Sequence, residues 1–363
     1  MEWGNAVKFG LSHVRLRPPP RHRESQTAMH VFVAANFLQV TCAQLPQLPR
    51  PGEILLASGV HSEPGGKGLN VAIGCRRLGA EVHALVGIGR DAAGDGLVDL
   101  LRAHAIPERH VHRLADTSGL GMGFIGGDGE NCGAVFAGPN LLLGAEHADL
   151  AQADIASSDW VYGQFETALP AVQRCFELAR AAGVATMLNP SPWQTPPDAL
   201  LAVTDVLLVN EVEAHRLLGK GLLTDGSLAD EAAHLSDAVQ ALWQRWPGRL
   251  LVVTAGHRGC LAFVPGQAPL CCPAWSVDAV DTLGAGDAFA SGLIAAMRGP
   301  ALGDVGMLSA ALQQASACGA WMASHAGVLD ALPTAQALAG FMATGAPPTV
   351  TAVTAAGPLR PAS

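Results

Sequence analysis

The chain has 363 residues, 49% of them apolar and 15% charged, with a formal charge of -9. That balance supports one large α/β domain, alone or with a small appendage, and excludes global disorder. An acidic chain without a basic stripe, without 18 consecutive apolar residues and without a continuous apolar leader predicts no nucleic-acid surface, no membrane span and no secretory signal.

The first 28 residues carry Arg15, Arg17, Arg21, Arg23 and Pro18–Pro20 without periodicity, and read as a disordered extension. An Arg-rich transit leader is the alternative, although the amphipathic pattern is missing. Met29 precedes the first credible strand, 30–36, and leaves open a later start. The eight cysteines show no C-x-x-C and no metal spacing, which predicts buried free thiols in a reducing cytoplasm.

Pro46, Pro49, Pro51 and Gly52 mark a turn, and 53–61 alternates like a half-exposed strand. Pro64-Gly65-Gly66-Lys67-Gly68-Leu69-Asn70 then opens a helix that stops at Gly79. A phosphate-binding Walker loop needs Ser or Thr after Gly-Lys, and Gly68 has no side chain to hold a metal. The stretch suits a neutral polyhydroxy ligand instead, approached by backbone at Gly65, Gly66 and Lys67 and gripped by the Asn70 amide; a plain helix cap is the other reading. A strand at 82–88 and a helix at 94–105 follow. Gly87, Gly89 and Gly94 are too widely spaced for a dinucleotide fingerprint. Residues 119–138 read as a hairpin around Gly126-Gly127-Asp128-Gly129, part of a small β appendage or lid.

From Asp159 the alternation is regular: strands at 160–164, 184–189, 205–210 and 250–254, helices at 170–182, 211–218 and 228–246, then strands near 260–264 and 269–275. Such order gives a mostly parallel sheet with helices on both faces and its ligand at the carboxyl ends of the strands. Those ends carry Glu166, Asn189, Asn210, Glu213 and Thr254. Asn210 and Glu213 share one face of a starting helix and could order the waters of Mg²⁺, with capping as the alternative for Asn210. Thr254-Ala255-Gly256-His257-Arg258-Gly259 leaves a strand in a glycine turn from which His257 or Arg258 could reach a phosphate. Beyond about 340 the chain reads as a loose tail, 341–363.

The most informative stretch is Asp281-Thr282-Leu283-Gly284-Ala285-Gly286-Asp287-Ala288-Phe289, followed by apolar residues every fourth position: Phe289, Leu293, Met297. Gly284, Ala285 and Gly286 form a turn that aims backbone N–H groups and the positive end of a helix dipole at an anion. Asp287, beside that anion, reads as a base that removes a proton from an attacking hydroxyl, or more plainly as an N-terminal helix acid.

These two glycine segments, with Gly129-Glu130-Asn131, Gln164-Phe165-Glu166, Asn189-Pro190, Asn210-Glu211-Val212-Glu213 and Thr254–Gly259 in order between them, resemble the signatures of the ribokinase (PfkB-type) family of carbohydrate and nucleoside kinases over about 30–340. The resemblance implies a three-layer α/β/α kinase, 29–340, with a small β-sheet lid from about 53–61 and 119–138, moving the γ-phosphate of ATP to a hydroxyl of a sugar or nucleoside. Asp287 would be the base; Gly66, Asn70, Glu166 and Asp281 would hold the sugar. Asn189, Asn210, Thr254, Gly256 and Gly259 would line the nucleotide, and Glu213 would organise Mg²⁺. Asp281, Leu283 and Gly327 would offer carbonyls to a monovalent cation such as K⁺, and the lid at 53–61 could pair two copies. One departure bears on the substrate. The family pattern places an Asp near Val40, where this chain has Asn36, Gln39 and Thr41 and no acid. A buried hydroxyl without an acceptor costs about 1–3 kcal/mol, which weakens the case for ribose itself.

Overall fold

A computed structural model describes residues 28–127, 130–221, 226–297 and 304–353. The predicted extension, apart from residue 28, and the last ten residues lie outside the described residues.

The chain opens with strands β1 (His30–Ala34), β2 (Leu38–Leu45) and β3 (Gly59–Gly65), then α1 (Lys67–Arg77), β4 (Glu81–Gly89), α2 (Ala92–Ala103), β5 (Val111–Ala115) and the hairpin β6 (Leu120–Gly126) and β7 (Asn131–Phe136). Two short helices, α3 (Ala145–Leu150) and α4 (Gln152–Ser157), lead into β8 (Trp160–Gln164), α5 (Leu169–Ala182), β9 (Ala185–Asn189), α6 (Asp198–Leu201), β10 (Val206–Asn210) and α7 (Glu211–Leu218). Then come α8 (Leu228–Trp243), β11 (Leu250–Thr254), β12 (Gly259–Phe263), β13 (Leu270–Pro273), α9 (Ala285–Ala296), α10 (Val305–Ala323), α11 (Ala335–Thr344) and the two-residue β14 (Thr351–Ala352).

The large sheet runs β14-β13-β12-β11-β10-β9-β8-β1-β4-β5, parallel from β11 to β5 and antiparallel at β12 to β14. Its central strands are apolar on both faces because both are covered. Val31 and Val33 enter a core with α1, α9 and α10, while Phe32 and Ala34 enter a second core with α5 and α8. This is the expected three-layer α/β/α architecture. The smaller, separate sheet runs β3-β2-β6-β7 and contains the segments expected to form a lid.

Several expectations need correction. The lid strand expected at 53–61 lies at Gly59–Gly65, and Ile54 and Leu56, 97% and 90% exposed, precede it. Its neighbour β2 escaped the sequence reading altogether. Pro64 and Gly65, read as loop, end β3; an edge strand tolerates them because one side of its backbone has no ladder to complete. The tail expected from 341 instead continues α11 to Thr344, and β14 pairs with β13. Trp275 packs against Phe341, an apolar anchor for that segment.

Helices α1 and α9 approach closely because Gly74 has no side chain. A Cβ there would lie 2.3 Å from Ser291 Oγ and 2.8 Å from its Cβ. Gly74→Ala should therefore lower stability by about 1–3 kcal/mol in a denaturant titration, the usual cost of overpacking. It should also separate the two helix N-termini that carry Asn70 and Asp287.

Candidate active site

At the carboxyl end of β1 the apolar run stops at Asn36, which is fully buried. Its Oδ1 accepts from Gly68 N (2.9 Å) and Gln164 Nε2 (3.1 Å), and its Nδ2 donates to Glu166 Oε2 (2.8 Å). Glu166 Oε2 also accepts from Lys67 N at 3.0 Å, and Glu166 N donates to Gln164 Oε1. One amide thus ties the ends of β1 and β8 to the first turn of α1. Gly66 makes this possible: its φ is +120°, and a Cβ would meet Asn36 Nδ2 at 2.6 Å. Neither Asn36 nor Gln164 carries an expected role from sequence, although an amide directly after the apolar run 31–35 is a usable signal.

Across from this cluster, Gly284 caps α9 with φ +77°. The N–H groups of Gly286 and Asp287 lie in the first turn, where no carbonyl of the same helix reaches them, and nothing lies within 4 Å of where a Gly286 Cβ would be. Asp287, 6% exposed, accepts from Asn70 Nδ2 at 2.7 Å. Asn70 Oδ1 is buried and meets no described protein group, so it offers an acceptor to a ligand hydroxyl. Burial pushes the Asp287 carboxyl up; the Lys67 charge and the Asn70 hydrogen bond pull it back, and Glu166 raises it further. A carboxylate desolvated this way, beside open main-chain N–H groups, can accept a proton next to an anion.

The other expected residues sort differently. Asp281 Oδ1 accepts from Leu283 N (2.9 Å), which shapes the turn; no described contact ties it to Asn70 or Glu166. Gly327 is in a left-handed turn, and the adjacent Val328 would sit 3.0 Å from a Gly284 Cβ, so the two loops abut. Asn210 and Glu213 form a reciprocal cap: Glu213 N donates to Asn210 Oδ1 (2.9 Å) and Asn210 N to Glu213 Oε2 (3.0 Å). Asn189 Nδ2 donates to Leu208 O (2.8 Å) and Thr254 Oγ1 to Val209 O (3.4 Å), which sets both at neighbouring strand ends. Gly256, at φ +53°, has open space in front of it, whereas a Gly259 Cβ would collide with Cys272 O at 2.1 Å. His257 is exposed. Arg258 is not free to reach a phosphate, because its guanidinium donates to Glu211 and to Gly226 O (2.6 Å).

A covered parallel sheet, a buried acid at the open N-terminus of a helix on its carboxyl edge and a separate small β-sheet fit one class: phosphotransferases that use an alcohol as acceptor. Residues 35–335 match the pfkB family carbohydrate kinases, and the chain belongs to that family. It is 31% identical to a ribokinase of Staphylococcus aureus over 244 residues, 66% of this chain and 77% of that one. It is 30% identical to a deoxyribokinase of Salmonella typhi over 67% of this chain and 77% of that one. The structure of Arabidopsis thaliana ribokinase complexed with ribose and ATP superposes with a TM-score of 0.78 at 22% identity, covering 87% of this chain and 99% of that one.

Proposed function

We propose that the enzyme transfers the γ-phosphate of ATP to a hydroxyl of ribose or a related pentose or hexose, with Asp287 as the base. The observation that carries this reading is the buried Asn70–Asp287 pair at the open N-terminus of α9. Asn70, Glu166 and the backbone at 65–67 hold the sugar; Asp287 takes the proton of the attacking hydroxyl while the amides of 286 and 287 receive the phosphate oxygens. Asn189, Asn210, Thr254, Gly256, His257 and Gly259 line the nucleotide side. Val40, whose methyl would touch a Gly65 Cβ at 2.9 Å, borders the sugar segment and gives its neighbouring hydroxyl no acceptor.

Mg²⁺ fits the residues present. Capping occupies only one oxygen of Glu213, Oε2, which leaves the other to hold a water of an ion that keeps most of its waters. Bound Mg²⁺ would neutralise charge on the nucleotide phosphates. Glu213→Gln keeps an acceptor for Asn210 N, so stability should change little while the Mg²⁺ concentration for half-maximal activity rises about tenfold or more. Carbonyls of Asp281, Leu283 and Gly327, on abutting loops, suit K⁺. The apolar edge formed by Ile54, Leu56 and Val60 suits pairing of two lids in a homodimer.

The test is ADP release over ribose, 2-deoxyribose, fructose and nucleosides. Turnover with one of the sugars is expected. Sugar binding without ADP release across the panel would mark a binding protein on a kinase scaffold.

A further inference from the structure

Arg258, in the turn between β11 and β12, is held on two sides. Its Nη2 donates to Glu211 Oε1 in the first turn of α7, and its Nη1 donates at 2.6 Å to Gly226 O, just before the Ser227 cap of α8. A third group stands beside it: Glu231 of α8, 1% exposed, with Oε1 2.8 Å from His215 Nε2 and Oε2 3.9 Å from Arg258 Nη2. That second oxygen accepts no hydrogen bond from a described group. A buried carboxylate with an idle oxygen is costly unless a cation is near, and Arg258 supplies the charge. Glu211 and His215, four residues apart, share one face of α7. Glu211, Arg258, Glu231 and His215 therefore close a circuit that joins α7, α8 and the turn.

The place of this circuit gives it a use. Strands β10 and β11 are paired up to Asn210 opposite Thr254, where the ladder stops. Past that pair the chain diverges into α7 on one side and the 256–259 turn on the other, and the Glu211–Arg258 contact carries the link onward. Glu211 lies between Asn210 and Glu213, and Arg258 between Gly256 and Gly259. We propose that Arg258 is a positioning residue for the nucleotide: its guanidinium fixes the spacing between the 256–259 turn and the first turn of α7, with Glu231 behind it as a second anchor. The inference rests on the placement of the nucleotide at those two segments. Arginine suits the task because its rigid fork donates to Glu211 and to Gly226 O from different nitrogens at once, which a lysine ammonium does not reproduce.

Steady-state kinetics on two variants of the full chain, Glu211→Ala and Arg258→Lys, test this. Glu211→Ala leaves Arg258 beside Glu231, so no buried charge loses its partner and the fold should survive. KM for ATP should rise about tenfold, the size of one lost charge-assisted hydrogen bond. The values of kcat and of KM for the sugar should stay within about twofold, because the nucleotide is held less well in ground and transition states alike. Arg258→Lys should raise KM for ATP by a similar factor, and the double variant no further, since both changes cut one link. Glu211→Gln, which keeps an oxygen for Nη2, should recover most of the loss. An unchanged KM for ATP in folded Glu211→Ala overturns the proposal, as does a double variant in which the two factors multiply, or a fall in kcat together with a rise in both KM values. If Glu213→Gln shifts the Mg²⁺ requirement while Glu211→Ala leaves KM for ATP alone, only the Arg258 role falls; if neither moves, the placement of the nucleotide falls with it.

Discussion

Asp287→Asn should lower kcat by at least about a hundredfold, the usual contribution of a positioned base, in a protein that still folds. It should also be more stable than the wild type at neutral pH. Burial raises the Asp287 carboxyl above its ordinary range. Below that range folded and unfolded chains both hold the proton. Between the ordinary and the raised value the unfolded chain has released it and the folded chain has not, so wild-type stability falls as pH climbs through this window, and the deficit persists above it. Asparagine does not titrate and can still accept from Asn70 Nδ2. The gap in melting temperature between variant and wild type should thus open as pH rises through the window, then stay constant. Melts across pH, with steady-state kinetics at one pH, check both halves.

Asn36→Asp should be the most damaging isosteric change around the sugar segment. It keeps the acceptor for Gly68 N and Gln164 Nε2 but replaces the donor to Glu166 Oε2, now at 2.8 Å, by a second oxygen. Two carboxylates then face each other out of water. A loss of about 3 kcal/mol follows from the broken charged hydrogen bond and the repulsion. KM for the sugar should rise at least about tenfold as Glu166 turns away, with KM for ATP little changed. Lowering the pH should shrink the stability loss, because a proton shared between the two acids restores a donor. Thermal melts at two pH values and sugar saturation curves would show it.

Elements whose pattern is local were legible in the sequence. β8, α7 and β11 fall at the residues their periodicity predicts, since apolar runs between polar strand ends carry the information by themselves. β2 was not legible, because Leu38–Leu45 mixes apolar and polar residues and is defined by pairing with β3 and, across a long stretch of chain, with β6. α10 lacks contrast: it is almost free of charge, buried along much of its length and packed on α9, so no amphipathic stripe marks it. In the site, Asp287, Asn70 and Glu166 announced themselves by position. Asn36 did not, because an amide that joins three elements acquires meaning only from what folding brings to it. Arg258 shows the reverse error: a cation in a glycine turn suggested a phosphate, and Glu211 holds it instead.

The most direct measurement is a crystal structure with a non-hydrolysable ATP analogue, Mg²⁺ and the sugar that the activity panel selects. The terminal phosphate should lie within hydrogen-bond distance of the main-chain N–H groups of Gly286 and Asp287, with an Asp287 oxygen on the acceptor hydroxyl. A phosphate seated elsewhere, or an Asp287 side chain turned from the sugar, would contradict the account.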